Sequence, residues 1–248
     1  MNLLNNLFKE KKLTQPLDMG LLGVDMHSHL IPGIDDGVKT LEESVDLIRR
    51  MSQLGFRKLI TTPHIQGEFF TNTPEIILNG LEKVKKGVKD AGIPIIIEAA
   101  AEYLMDDRFE EKYKNGKLMT FGNNYVLVEL SYYNSHPNLK QFIFDLQIDG
   151  YKVILAHIER YSYWFNELDK FQELKERGVF LQINTISLGG YYNATVKKIA
   201  EKLVDKGLVD FLGTDMHNFN YMHVLEIALR EKYVEKLLNS GKLLNSTL

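Results

Sequence analysis

Histidine and carboxylate residues follow several apolar runs in this 248-residue sequence. His27 and His29 come after the first such run, and Asp215 and His217 come after the last. Side chains two positions apart in an extended segment point to the same side, so each pair can clamp a metal ion. Imidazole and carboxylate ligands without thiolate suit Zn²⁺, Mn²⁺ or Fe²⁺.

Further candidate ligands lie at equivalent places along the chain. Glu102 and Glu129 follow two other apolar runs, and their carboxylates could bridge two cations. The chain has seven histidines, and five of them follow apolar runs: His27, His29, His64, His157 and His217. Since this set exceeds the needs of one ion, the sequence predicts a cluster of two or three divalent ions.

The apolar runs alternate with segments of helical periodicity. We predict strands at residues 21–26, 56–62, 94–99, 125–130, 151–156, 179–183 and 209–213. We predict helices at residues 40–54, 73–92, 139–148, 164–177, 192–206 and 221–238. Residues 103–124 are long and charged, and we expect a helical turn or a small excursion there.

This alternation predicts an α/β fold with a parallel sheet, because parallel neighbours need crossover helices. The length favours a closed barrel of seven βα units over an open doubly wound sheet, and no glycine-rich dinucleotide or phosphate loop is present. A barrel brings all the strand ends to one face, where such folds place their sites. We predict one barrel domain over residues 21–248, preceded by a short extension over residues 1–20. This extension is either amphipathic and packed on the domain or on a neighbour, or a frayed terminus.

Composition excludes several classes of function. The net charge of −3 provides no general attraction for nucleic acid. The absence of cysteine removes disulfides, thiolate metal sites and cysteine nucleophiles, and it fits a cytoplasmic protein. No apolar run reaches ~18 residues, so we expect no membrane span.

Four other features each have a functional and a structural interpretation. Arg160 is either an anion clamp at the barrel mouth or part of a surface salt bridge, and the Asp35-Asp36-Gly37 sequence is either a turn or part of the site. His136 and His223 are predicted to be non-ligands, although His223 is close enough to the site to contribute. Four tyrosines follow strand ends and either line a substrate rim or pack loops: Tyr132, Tyr133, Tyr161 and Tyr163.

Taken together, these motifs resemble the polymerase-and-histidinol-phosphatase (PHP) superfamily. Within it, the chain is most similar to the bacterial tyrosine phosphatases of capsular and extracellular polysaccharide biosynthesis. The resemblance covers about residues 22–238. It rests on His27-Ser28-His29, Asp35-Asp36-Gly37, His64, Glu102, Glu129, His157-Ile158-Glu159-Arg160-Tyr161 and Asp215-Met216-His217-Asn218.

The resemblance implies a distorted (β/α)₇ barrel with a trinuclear metal site, commonly manganese and sometimes iron or zinc. Arg160 matches an arginine that holds the substrate phosphate. The second phosphate-binding arginine of the family has no counterpart in residues 219–223, where His223 could serve as a substitute donor. The implied metal ligands are His27, His29, Asp36, His64, Glu102, Glu129, His157, Asp215 and His217.

The predicted function is therefore metal-dependent hydrolysis of phosphotyrosine on proteins, with a tyrosine kinase of polysaccharide export as a candidate partner. A homo-oligomer is compatible with the sequence. Three alternatives stay open: a small-molecule phosphatase of the histidinol-phosphate type, a phosphodiesterase or nuclease, and a non-enzymatic metal-binding protein. The acidic balance argues against the nuclease, and the complete ligand set argues against the non-enzymatic protein.

Overall fold

The computed structural model describes residues 12–106 and 108–248. Its strands are β1 (Val24–Asp25), β2 (Lys58–Thr61), β3 (His64–Ile65), β4 (Ile96–Ala99), β5 (Glu102–Leu104), β6 (Tyr125–Glu129), β7 (Lys152–Leu155), β8 (Phe180–Asn184) and β9 (Phe211–Gly213). Its α-helices are α1 (Leu41–Gln53), α2 (Pro74–Asp90), α3 (Phe109–Asn115), α4 (Leu139–Ile148), α5 (Asp169–Glu176), α6 (Thr185–Leu188), α7 (Ala194–Asp205), α8 (Phe219–Ala228) and α9 (Lys232–Leu238).

These strands form seven parallel paths. One sheet has the order β1-β2-β4, and the other has the order β3-β5-β6-β7-β8-β9. β3 continues the path of β2 beyond Pro63, and β5 continues the path of β4. Hydrogen bonds cross these breaks, since the amide of Ala100 donates to Thr61 O at 2.9 Å and the amide of Glu102 donates to Pro63 O at 3.2 Å.

Hydrogen bonds between the first and last strand ends close the barrel. The Asp215 amide donates to His27 O at 2.8 Å, and the His29 amide donates to Met216 O at 2.8 Å. Near the other end, Asn245 donates its side-chain amide to Val24 O at 3.0 Å and to Leu212 O at 2.8 Å. The predicted distorted barrel of seven βα units is confirmed.

Local chemistry explains where the long helices start. The hydroxyl of Thr40 accepts a hydrogen bond from the Glu43 amide and caps α1. Thr73 caps α2 in the same way, and Pro74 occupies the first helical position, where its missing N–H costs nothing. The apolar faces of these helices pack around the barrel, whose interior contains a separate cluster of buried apolar side chains that includes Met26, Ile154 and Phe211.

Several predicted boundaries were wrong. The predicted helix 221–238 is two helices, α8 and α9, because Glu231 is extended between them and pairs with Lys197 at 3.0 Å and Lys12 at 2.8 Å.

The predicted helix 164–177 starts only at Asp169, after a 3₁₀ turn. The charged segment 103–124 contains most of β5 and the short α3, and the buried α6 was not predicted.

The predicted N-terminal extension, residues 1–20, lies mostly outside the described residues, which begin at residue 12. The extent of the single domain, residues 21–248, stays a prediction. Within the described residues, no helix has the length and apolar character required to cross a bilayer.

Candidate metal centre

Histidines and carboxylates from six of the seven strand paths converge at the mouth of the barrel. Within the described residues they form four overlapping groups, and the ligand atoms of each group lie within 4.8 Å of one another. All of these side chains except Asp36 are buried. The groups are His29, Asp36, His64 and His217; His27, His29 and Asp215; His27, Glu102 and His157; and His64, Glu102 and Glu129.

The backbone is strained at two of these positions. His157 has a φ of 30° and Asp215 has a φ of 53°, and each residue comes two positions after the end of a strand. Non-glycine residues rarely adopt this left-handed region, and such strain concentrates at functional sites. In both cases the turn directs the side chain into the barrel mouth instead of continuing the strand.

A close backbone contact holds the turn that carries Asp36. A Cβ on Gly37 would lie only 2.3 Å from the carbonyl oxygen of His29 and 2.5 Å from its Cβ. Glycine is therefore required there. Asp35 accepts hydrogen bonds from the Gly37 amide at 3.0 Å and the His64 amide at 3.1 Å, which fixes the turn against β3.

Three histidine rings are oriented by hydrogen bonds from their Nδ1 atoms. His29 donates to Oδ2 of Asp35 at 2.8 Å, His27 donates to Oε1 of Gln182 at 3.1 Å, and His217 donates to the carbonyl oxygen of Asp215 at 2.8 Å. A ring that donates through Nδ1 presents a neutral Nε2 as a metal ligand. The Nε2 atoms of all three rings face carboxylates of the cluster.

Two polar residues of β8 support the cluster without belonging to it. Gln182 Oε1 also accepts a hydrogen bond from the His157 amide at 2.9 Å, and its Nε2 donates to Oδ1 of Asn184 at 2.8 Å. Asn184 in turn donates to Oδ2 of Asp215 at 2.7 Å. This buried chain of amides fixes the side chains of His27 and Asp215 and the backbone of His157.

The contact distances around Glu102 fit metal coordination. Its Oε2 lies 3.2 Å from Nε2 of His27 and 3.2 Å from Nδ1 of His64, and its Oε1 lies 3.0 Å from Nε2 of His157. Oε2 is buried and accepts no hydrogen bond from the described residues. Two ligand atoms ~2.1 Å from one ion at the tetrahedral angle lie about 3.4 Å apart. The donor set and its spacing therefore fit divalent ions.

The electrostatics of the cluster agree with this assignment. Burial alone would lower the pKa of His27, but Glu102 and Asp215 outweigh it and raise that pKa to about 9. Burial would likewise raise the pKa of Glu102, but His27 and His64 hold it well below its usual range. Without metal, the cluster is held together by proton-mediated ion pairs, and metal ions would replace those protons.

Arg160 points into the same cavity. Its guanidinium carbon lies 4.5 Å from the ring centre of Tyr132 and 4.2 Å from that of Tyr192, so the group is held between two aromatic faces. Its Nη1 lies 3.6 Å from Oδ2 of Asp215. Burial disfavours the charge, but Tyr192, Tyr132 and Asp215 keep the pKa above its ordinary value. Arg160 therefore presents a fixed cation to the cavity.

The cavity has a volume of about 250 Å³, and we call it the site cavity. Phe70 stacks on His64 with ring centres 5.4 Å apart, and Tyr221 lies 4.9 Å from His217. The aromatic walls are therefore in contact with candidate ligands. The site cavity is lined by Asp36, His64, Gln66, Phe70, Glu102, Glu129, Tyr132, His157, Arg160, Asp215, His217 and Tyr221.

Other residues singled out from the sequence lie elsewhere. His223 is exposed on α8 and does not line the site cavity, whereas Tyr221 on the same helix does. His136 belongs to none of the potential metal-binding groups among the described residues.

Only one of the four singled-out tyrosines, Tyr132, lines the site cavity. Tyr133 is 91% exposed. Tyr161 and Tyr163 pack loops: the Tyr161 hydroxyl joins the ends of β6 and β7, and the Tyr163 hydroxyl donates to Ser131 O.

The sequence reasoning missed Asp35 as a partner of His29, as well as Gln182, Asn184 and Tyr192. A signal for two of these was present. Gln182 and Asn184 are polar residues two positions apart in an otherwise apolar strand, a pattern that places both on one face. Nothing in the local sequence distinguishes Tyr192 from Tyr191 beside it.

Comparison with known proteins agrees with this geometry. Residues 23–242 match the family described as "Capsular polysaccharide synthesis, CpsB/CapC". The chain belongs to this family. The similarity predicted from the motifs is therefore confirmed.

Relatives in the CpsB/CapC family have tyrosine-phosphatase names. The tyrosine-protein phosphatase YwqE of Bacillus subtilis is 26% identical over 196 residues, which cover 79% of this chain and 77% of YwqE. The tyrosine-protein phosphatase CpsB of Streptococcus pneumoniae is 27% identical over 223 residues, which cover 86% of this chain and 92% of CpsB. A chain from the crystal structures of YwqE and CpsB, described there as "unique metal-dependent tyrosine phosphatases", has a TM-score of 0.76 and 25% identity, covering 90% of this chain and 94% of the solved one.

Proposed function

We propose that this chain is a metal-dependent protein-tyrosine phosphatase, which hydrolyses phosphotyrosine to tyrosine and inorganic phosphate. The observation that carries the proposal is the position of Arg160, whose side chain lines the same cavity as the histidine and carboxylate cluster. A cation cluster together with a planar guanidinium is complementary to a dianionic phosphate monoester. The names of the YwqE and CpsB relatives support the same activity.

The cluster is proposed to hold two or three divalent ions, with Mn²⁺ as the first candidate and Fe²⁺ or Zn²⁺ as alternatives. Ions at such a site supply Lewis acidity that polarises phosphoryl oxygens and activates water. The proposed ligands are His27, His29, Asp36, His64, Glu102, Glu129, His157, Asp215 and His217, which are the members of the four overlapping groups.

The remaining steps belong to side chains of this chain. Arg160 donates two parallel hydrogen bonds to phosphate oxygens, and the flanking rings of Tyr132 and Tyr192 keep its plane aligned. Phe70 and Tyr221 offer aromatic walls beside the phosphate position, which suits an aryl group. The substrate is thereby oriented by its phosphate at one end and by its ring at the other.

A phosphotyrosine substrate also suits the acid–base chemistry of this chain. No cysteine is present, so a phosphocysteine intermediate cannot form. Phenol has a pKa of about 10, so phenolate departs more readily than an alkoxide and needs little assistance from a general acid. Water can then attack phosphorus directly and displace the phenolate, without a phosphocysteine intermediate.

The biological setting is proposed from the family description. Because the family concerns capsular polysaccharide synthesis, the proposed substrate is a phosphotyrosine protein of that process, such as a tyrosine kinase of polysaccharide export. The proposed location is the cytoplasm, which suits a chain without cysteine.

A metal analysis combined with a substrate panel tests the proposal. Protein stripped with EDTA and reloaded with Mn²⁺ is expected to release phosphate from p-nitrophenyl phosphate and from phosphotyrosine peptides. Full metal occupancy without turnover of either substrate would overturn the assignment. A much higher kcat/KM on histidinol phosphate than on phosphopeptides would instead identify a small-molecule phosphatase, and cleavage of a phosphodiester would identify a phosphodiesterase.

A further inference from the structure

A second, larger cavity of about 510 Å³ is lined in part by residues that are the immediate chain neighbours of residues lining the site cavity. A short hairpin, in which Gln66 and Phe70 exchange two backbone hydrogen bonds of 3.0 Å, separates the two cavities. Gln66 and Phe70 line the site cavity, whereas Gly67 and Thr71 line the second one. A polypeptide that extends from the site across this hairpin would therefore reach the second cavity.

Basic side chains outnumber acidic ones in this second cavity, which we call the basic cavity. Arg108, Lys112 and Lys117 line it, and Glu111 is the acidic residue among its lining residues. Arg108 is already paired with Glu68. Glu111 offsets one of the two lysines, so the lining residues carry a surplus of one positive charge.

Lys112 is the unusual member of this set. Its Nζ is shielded from solvent and has no hydrogen-bond partner among the described residues. Burial lowers its pKa, although Asp106 opposes this effect. An ammonium group removed from water without a partner is unfavourable, and an anion placed beside it would offset that cost.

The wall of the basic cavity is tied directly to the metal centre. Asn72 lines this cavity and donates its side-chain amide to the carbonyl oxygen of His64 at 2.8 Å and to that of Ile34 at 2.9 Å. His64 is one of the proposed ligands, and the next residue, Ile65, lines the basic cavity. The two cavities are therefore held in a fixed relation by the same short stretch of chain.

We propose that the basic cavity binds an anionic side chain of the same polypeptide whose phosphotyrosine occupies the site cavity. This inference rests on the proposed phosphatase function and names the feature that the enzyme selects beyond the phosphotyrosine. The shared chemistry is a carboxylate or a second phosphate, supplied by an acidic residue or by another phosphorylated residue. Lys112 is the principal contact, and Lys117 assists from the exposed side of the cavity.

The test compares substrates on the full-length, Mn²⁺-loaded protein. The panel contains p-nitrophenyl phosphate, phosphotyrosine peptides with neutral flanks, peptides with acidic residues at successive flanking positions, and peptides with a second phosphotyrosine. Wild-type protein is expected to prefer the anionic peptides. In Lys112→Met, which keeps the length of the side chain but removes its charge, kcat/KM on those peptides should fall about five- to tenfold, mainly through KM. Turnover of p-nitrophenyl phosphate and of the neutral peptides should not change.

Lys114→Met is the matched control, because Lys114 lies on the same helix, is exposed and pairs with Glu110. It should leave the substrate preference intact. Should Lys112→Met fail to fold, Lys117→Met on the exposed rim should weaken the same preference. The comparison between acidic and doubly phosphorylated peptides identifies which anion the cavity favours.

Two outcomes overturn the proposal: equal kcat/KM of the wild type on neutral and anionic peptides, or an unchanged preference in both lysine variants. Failure of the phosphatase function itself is distinguishable, because wild-type protein would then turn over none of the aryl phosphates. In that case, fluorescence anisotropy with labelled peptides tests the role of the basic cavity, because it measures binding without turnover. Wild-type protein should bind anionic peptides more tightly than neutral ones, and Lys112→Met should lose this preference.

Discussion

Asn184 donates a 2.7 Å hydrogen bond from its buried side-chain amide to Oδ2 of Asp215. Asp215 follows the last strand of the barrel, whereas Asn184 ends β8, a strand that contributes no potential metal ligand. Gln182, two residues earlier, holds His27 and the backbone of His157. One strand therefore orients groups on three others.

The first prediction concerns Gln182. Replacement by leucine removes the acceptor that fixes the His27 ring, so metal affinity should fall by roughly 10- to 100-fold while the fold persists. Calorimetric titration of stripped protein with Mn²⁺ measures the effect. Gln141→Leu, at an exposed residue of α4, is the matched control and should bind metal like the wild type. Unchanged metal affinity in Gln182→Leu would show that the His27 ring needs no such support.

Arg160 should act on substrate and not on metal. Arg160→Ala is expected to keep its metal content and lose about 3 kcal/mol of transition-state stabilisation, or ~100-fold in kcat/KM on a phosphotyrosine peptide. Lysine should restore little, because a point charge cannot reproduce the planar fork that Tyr132 and Tyr192 align.

Kinetics measured alongside elemental analysis check this expectation. Arg177→Ala, at an exposed arginine paired with Glu173, provides the control. Activity of Arg160→Ala within about threefold of the wild type would refute the phosphate contact. Loss of metal in that variant would instead assign Arg160 to support of the ligands.

The proposed ligands should behave as a unit. His27→Ala or Asp215→Ala should reduce metal content and activity together, because each side chain belongs to a shared group of candidate ligands. His136→Ala, at a histidine outside those groups, should retain both. A ligand variant with full metal content and a near-wild-type rate would show that the residue does not bind metal.

Chelation and thiol modification should have opposite results. EDTA is expected to abolish activity, and added Mn²⁺ is expected to restore it, because the activity depends on the bound ions. Iodoacetamide should have no effect on the purified chain, since it contains no cysteine. Inactivation by iodoacetamide under thiol-selective conditions would contradict this account.

The pH dependence of stability should differ between metal-free and metal-loaded protein. Burial opposes protonation of His27, yet Glu102 and Asp215 raise its pKa from 6.5 to about 9 in the metal-free cluster. Because the folded-state value is higher than the unfolded one, this proton stabilises the fold fully below pH 6.5. The contribution is lost as the pH rises through about 9, so the Tm of EDTA-treated protein should fall over this interval.

Metal affinity should change in the opposite sense over the same interval, because a ligating imidazole must be deprotonated. Binding of Mn²⁺ should therefore strengthen with rising pH and release protons. Calorimetry in two buffers with different ionisation enthalpies measures that release. A Tm of metal-free protein that rises from pH 6.5 to 9, or metal binding without proton release, would contradict the assignment.

The motifs and the order of segments along the chain were enough to predict the candidate ligands and the class of fold. The two-residue spacing of His27 and His29 decides that both side chains face the same way, because successive side chains of an extended segment alternate. The alternation of apolar runs and helical segments decides that the strand ends meet at one face. All the metal ligands inferred from the motifs are members of the potential metal-binding groups in the structure.

Which residues support the candidate ligands depends on the packing of elements that are distant in sequence. Gln182 and His27 are 155 positions apart, and their contact depends on how far each strand is shifted along its neighbours when the barrel closes. The same holds for Tyr192 beside Arg160 and for Lys112, whose Nζ has no hydrogen-bond partner within the described part of the chain. Local periodicity specifies the direction of a side chain from its own strand or helix, whereas the partner it meets is fixed by packing between elements that are distant in sequence.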